Sequence, residues 1–119
     1  MTQAREASAP SVPPARFAVF DNDLDAAWQE LYAAAPALAI DTEAMGLQHG
    51  RDRLCLVQIC DAHDNVCCIR LHRGQQEAPR LRSLMENPSQ EKVFHFARFD
   101  VAALAENLAI RVDPIFCTK

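Results

Sequence analysis

The sequence is poor in several features that define protein classes. With only 3 Gly in 119 residues it carries neither a collagen-like repeat nor a glycine-rich linker. No apolar run approaches the roughly 20 residues that a membrane-spanning helix needs. No two cysteines have C-x-x-C spacing. The five present (Cys55, Cys60, Cys67, Cys68, Cys117) are odd in number, and Cys67 and Cys68 are adjacent, pointing to opposite faces of any strand they share. They read as small buried hydrophobes of a reducing compartment, not as a zinc or disulfide framework, and so predict a cytoplasmic protein. Excess positive charge is also missing: the net charge is −4, which argues against gripping nucleic acid by bulk charge but leaves room for an enzyme working through bound cations. Aromatics make up 7% of the chain, too few for sequence-specific reading of bases by stacking.

What is present is one domain's worth of core. Half of the residues are hydrophobic and 24% are charged. Residues 1–15 are rich in Ala, Ser and Pro, lack the apolar centre of a signal peptide, and read as a disordered lead-in. Phe17 to Phe20 alternates weakly, as a short edge strand would. Asp21, Asn22 and Asp23 offer N-cap oxygens to a helix with Leu24, Ala27, Trp28, Leu31 and Tyr32 at helical spacing, ended by Pro36. Ala37 to Ile40 is an apolar strand that stops at Asp41. A polar stretch follows from Gln48 to Arg53, with Gly50 as its turn. Leu54 to Cys60 and Val66 to Leu71 are strand-like, and residues 61–65 make a hairpin loop between them. Ala78 to Met85 fits a helix stopped by Asn87 and Pro88, Lys92 to Phe96 a strand, Val101 to Leu108 a helix, and Pro114 to Cys117 the start of another strand. Tight turns between the early strands imply antiparallel pairing, and the later strand–helix alternation implies a parallel part. The expectation is an α/β fold, a mixed β-sheet flanked by helices.

Chemistry concentrates in two places. In Ala39-Ile40-Asp41-Thr42-Glu43 the two acids lie two residues apart, so an extended backbone projects them side by side where an apolar strand ends. Paired carboxylates repel unless a cation lies between them, and Mg²⁺ or Mn²⁺ is the natural oxygen-seeking partner. In Val93-Phe94-His95-Phe96-Ala97-Arg98-Phe99-Asp100-Val101 a third acid, Asp100, sits near the start of a helix that follows a strand. Alone it is a carboxylate favoured by the helix dipole; brought over the same strand end, it completes most of a two-metal site for phosphoryl displacement.

Asp41-Thr42-Glu43, then Arg53-Leu54-Cys55-Leu56-Val57-Gln58-Ile59, then His95-Phe96-Ala97-Arg98-Phe99-Asp100 together resemble the ribonuclease D family. This is a branch of the DEDD 3′–5′ exonucleases with a ribonuclease H-like fold. The short bacterial ribonuclease D-like type is the nearest form, and Pro114 to Lys119 also finds a counterpart there. The resemblance runs from about Leu38 to Lys119. It implies that Asp41, Glu43 and Asp100 are the catalytic, metal-binding carboxylates for two Mg²⁺ or Mn²⁺ ions. It places Thr42, Met45 and Gly46 near the terminal nucleotide, and His95, Arg98 and Phe99 along the path of a single-stranded RNA 3′ end, with DNA as a possible substrate. The family's third motif, with a fourth carboxylate and a Tyr or His that orients water, has no match up to Lys119. Tyr32 precedes the first motif and cannot stand in for it. The expectation is therefore that residues 16–119 are the N-terminal part of such a domain, its C-terminal part missing.

Residues 1–48 carry 2 basic and 7 acidic side chains, whereas residues 49–82 carry 6 and 4. Arg51, Arg53, Arg70, Arg73, Arg80 and Arg82 thus fall in one segment, where a phosphate backbone could track, although such runs are commonly a solvated face. The leading expectation is a 3′–5′ exoribonuclease acting by a two-metal mechanism, and the alternative is a non-catalytic nucleic-acid-binding remnant of one. A phosphatase with an aspartate nucleophile usually has Asp-x-Asp, and Glu43 argues against it. Nothing in the spacing requires an acidic interaction module.

Overall fold

A computed structural model describes residues 16–46, 48 and 51–119; the expected lead-in over 1–15 and the turn at Gly50 lie outside the described residues. The chain runs β1 (Phe17–Asp21), α1 (Ala26–Ala33), β2 (Ala37–Ala44), β3 (Leu54–Cys60), β4 (Val66–Arg70), α2 (Pro79–Met85), β5 (Glu91–Phe94), α3 (Ala97–Leu108) and β6 (Ile115–Cys117). The strands form one six-stranded sheet in the order β1-β4-β3-β2-β5-β6. β2, β3 and β4 are antiparallel neighbours, while β1 joins β4, β5 joins β2 and β6 joins β5 in parallel. This is the expected mixed α/β sheet, with β1 on its edge. No described helix is long and apolar enough to cross a membrane.

One hydrophobic cluster holds the fold. Leu38 and Ile40 of β2, Val57 and Ile59 of β3, Cys67 and Ile69 of β4 and Phe94 of β5 meet Tyr32, Leu81, Leu84, Met85, Leu104 and Leu108 from the three helices. The alternating residues of β2, namely Ala39, Asp41 and Glu43, are exposed, because residues two apart share a face of the sheet.

Three local expectations are corrected. The cap of α1 is Asp25, whose carboxylate accepts the Trp28 amide at 2.8 Å. Asp23 instead reaches the amides of Arg80 and Leu81 at 2.8 and 3.0 Å, tying the start of α2 to the segment before α1. Second, β2 does not stop at Asp41. Pairing continues through Asp41↔Gln58, Thr42↔Val57 and Glu43↔Leu56, because the β2–β3 hairpin supplies hydrogen bonds that an apolar count cannot register. Third, β5 ends at Phe94 and α3 begins at Ala97, so Asp100 lies inside the first helical turn.

The loop between β3 and β4 is held by Asp61, whose carboxylate accepts the amides of His63 and Asn65 and the Asn65 side chain, each at 2.9 Å. Tyr32 is fully buried, its hydroxyl within 3.0 and 2.9 Å of the carbonyls of Ile59 and Asn65, which anchors α1 to the same hairpin.

Candidate active site

β2 lies between β3 and β5 and carries the first carboxylates into the middle of the sheet. Its alternation decides their environments: Asp41 and Glu43 are exposed, whereas Thr42 between them is buried. The strand register shifts between Glu43 and Ala44, an irregularity of the kind that re-aims side chains beside reactive clefts.

α3 brings the third carboxylate. Asp100 is only 5% exposed, and its Oδ1 accepts the hydroxyl of Thr42, 58 residues away in sequence. Burial pushes the Asp100 carboxyl upward, and the Asp41 charge pushes the same way; the Thr42 hydrogen bond opposes both. Thr42 therefore touches the Asp100 carboxylate as well as lining the cleft, a contact that alternation along β2 could have signalled. The residue before α3, Phe96, is in the left-handed region with φ 60° and ψ 57°.

These elements enclose a cleft of about 310 Å³ lined by Asp41, Thr42, Glu43, Ala44, Gly46, His95, Phe96, Phe99 and Asp100. Seven of the nine expected site residues thus share one wall, and Ala44 and Phe96 join them without having been expected there. Met45 is 62% exposed and its side chain is outside the lining, and Arg98 is likewise an exposed residue of the first turn of α3 outside it. A second hollow of about 530 Å³ opens beside Ala39, Ile40, Val93, Phe94 and Thr118 and shares Asp41, His95 and Phe96 with the first.

Gly46 lines the cleft, and a Cβ there would lie 2.4 Å from Oδ2 of the Asp52 side chain, which would have to move aside. That carboxylate accepts the Gln48 amide and the Arg51 guanidinium, both at 2.9 Å, and Arg51 and the Gln48 amide hold it below the usual carboxylate range. Most of the clustered arginines have neighbours. Arg70 pairs with Asp21 at 2.8 Å, Arg82 with Glu86 at 3.2 Å, and Arg53 donates to the Leu71 carbonyl at 2.9 Å. Arg73 and Arg80 are exposed.

The donor set, carboxylate oxygens alone, suits a hard divalent cation, and the mutual repulsion of Asp41 and Asp100 is what such a cation would relieve. Among the described residues, however, no three acidic, His or Cys side chains converge on a single ion position. Asp41 and Glu43 stand on one face of β2 while Asp100 turns to Thr42 on the other.

Residues 17–119 match the 3′–5′ exonuclease domain family. The chain is 33% identical over 87 residues to ribonuclease D of Acidiphilium cryptum, covering 73% of this chain and 22% of that protein. It is 37% identical over 78 residues to DNA polymerase I of Chloroflexus aurantiacus, covering 60% of this chain and 8% of that one. Among solved structures, Brucella melitensis NrnC superposes with a TM-score of 0.82 at 41% identity, over 87% of this chain and 50% of NrnC. The chain therefore spans half the length of that structural neighbour and much less of the two curated relatives. On the match over residues 17–119, the chain belongs to the 3′–5′ exonuclease family and is a ribonuclease D-like DEDD exonuclease in sequence and fold.

Proposed function

We propose that residues 16–119 form the part of an exonuclease domain that bears its first two motifs, and that the domain hydrolyses the terminal phosphodiester of single-stranded RNA from the 3′ end. The observation that carries this reading is the single cleft in which Asp41 and Glu43 of β2 meet Asp100 of α3. Brucella melitensis NrnC has been solved with bound Mg²⁺ and bound to pGG, which supports a divalent metal and a short nucleic-acid ligand here.

In this reading Asp41 and Glu43, exposed to solvent, and Asp100, bonded to Thr42, would hold two Mg²⁺ or Mn²⁺ ions. When bound, such ions polarise the phosphodiester and lower the pKa of an attacking water. The chain's own residues position the strand. His95 and Phe99 line the cleft beside the β2 residues, Gly46 would let the backbone approach the terminal nucleotide, and Met45 and Arg98, outside the lining, are exposed, so that Arg98 can meet a phosphate.

The test is incubation of the chain with 5′-labelled single-stranded RNA, with and without Mn²⁺, beside its Asp41→Ala variant. A ladder shortening from the 3′ end, dependent on metal and lost in the variant, supports the reading. RNA that stays intact while the folded chain binds it supports the second reading, nucleic-acid binding without turnover. Parallel reactions on single-stranded DNA decide the sugar preference.

A further inference from the structure

The two faces of the sheet are treated unequally. Leu38, Ile40, Val57, Ile59, Cys67 and Phe94 stand on one face and pack against side chains from all three helices. Among the described residues, no helix contributes a core side chain to the other face.

That second face is apolar too. Strand register carries one row across the whole sheet, from Phe17 through Val66, Cys60, Ala39 and Val93 to Phe116 at the far edge. All six side chains are apolar or thiol. Phe17 is 65% exposed and Phe116 52%, and Val19, beside Cys68 in the next row, is 46% exposed. A sheet that meets water on one side turns polar residues outward there, whereas apolar side chains on both sides mark a sheet covered twice.

In a chain of these 119 residues, the segment 1–15 offers little cover, since its only large apolar side chains are Met1 and Val12. The size of the face suits a larger partner. Six strands about 4.8 Å apart, each of about five residues rising about 3.3 Å, give a footprint of about 450 Å². Two such faces together remove about 900 Å² of flat area and more of accessible surface, which reaches the roughly 1,000 Å² of a specific interface.

We infer that this face pairs with the same face of a second copy, row against row, about a twofold axis running along the row. The inference rests on the fold and not on the exonuclease reading. An axis in that direction keeps two equally twisted sheets a constant distance apart, about 10 Å. It also reverses the strands, so the exposed Asp41 and Glu43 of one copy lie at the opposite end from those of the other. An axis along the strands would instead bring the four carboxylates together, and their repulsion opposes it.

The experiment is sedimentation equilibrium of the 119-residue chain in EDTA and reductant, up to about 100 µM, well above the micromolar limit usual for an interface of standard size. The unsubstituted chain should be a dimer, with a thermal midpoint that rises with concentration. Ala39→Lys sets two ammonium groups against each other at the centre of the row and should weaken the dimer about tenfold or more. Ala33→Lys, the same change on the exposed surface of α1, should leave it intact. Ala39→Glu should also dissociate, and an equal mixture of the two Ala39 variants should recover the dimer, because the axis sets residue 39 against its own copy. Phe17→Lys, at an exposed edge position, repeats the test if a central charge unfolds the chain. A monomer at every concentration, including one that binds an apolar dye on its open face, overturns the inference. So does a dimer that Ala39→Lys and Phe17→Lys leave as tight as Ala33→Lys does. A mixture of the Ala39 variants that stays monomeric overturns the row-against-row arrangement.

Discussion

The hydroxyl of Thr42 donates to the carboxylate of Asp100, and this bond joins the central strand β2 to the first turn of α3 across 58 residues of sequence. It links the two motifs of the site through a buried contact while leaving Asp41 and Glu43 free on the opposite face of the strand.

Thr42→Val keeps the shape and removes the donor. Asp100 then loses the Thr42 hydroxyl donor while still buried, which should cost about 1–3 kcal/mol of stability in urea unfolding. Thr42→Ser should recover most of it. Equal stability of the Val and Ser variants would show that the hydroxyl does not support Asp100.

Asp100→Asn retains the acceptor oxygen for Thr42 and removes a buried negative charge that Asp41 repels. The metal-free variant should melt no lower than the unsubstituted chain, and any metal-dependent hydrolysis should disappear. Calorimetry beside the labelled-RNA assay checks both halves. Retained hydrolysis would remove Asp100 from the site.

Gly46→Ala places a methyl group 2.4 Å from the Asp52 carboxylate, which must turn and give up its bonds from the Gln48 amide and Arg51. A loss of about 1–3 kcal/mol is expected, with weaker RNA binding at the cleft. Adding Asp52→Ala should relieve the clash and make the pair less damaging than the two single changes summed. Simple additivity would mean that the contact is not the reason for the glycine.

The pH dependence of stability should carry a mark of Asp61. Its burial raises the carboxyl pKa, but hydrogen bonds from the Asn65 side chain, the Asn65 amide and the His63 amide outweigh it and leave the group below the usual carboxylate range. A pKa lower folded than unfolded gives stability that is present above the unfolded value of about 3.9 and lost as pH falls through the folded value. The difference in unfolding free energy between the unsubstituted chain and Asp61→Asn should be flat from pH 7 to pH 5 and shrink below about pH 4. A constant difference down to pH 2 would contradict this origin.

Patterns confined to a few neighbouring residues were the legible part of the fold. The apolar strands β3 and β4, the helix expected over Ala78 to Met85 and the paired acids of β2 all stand where the residues suggested. What the sequence concealed depends on partners far along the chain. Asp23 binds the first amides of α2 from 57 residues away, β2 runs past Asp41 because β3 pairs with it, and the Thr42 hydroxyl bonds Asp100. Phe96 and Asp52 escaped notice for another reason. Backbone strain and a forbidden Cβ leave no trace in residue type beyond an unremarkable Phe and an unremarkable Gly.

The parallel pairing of β1 with β4 has a consequence during synthesis. Asp21 and its partner Arg70 are 49 residues apart, and among the described residues β4 is the one strand that pairs with β1. At about 5–20 residues per second, a nascent chain must wait roughly 3–10 s between making the two strands. Throughout that interval β1 lacks its partner β4, and Ala18 and Phe20, which the finished fold packs against the core, stay uncovered. Translation speed over residues 22–70 therefore sets how long the first strand of this exonuclease domain is at risk of mispairing.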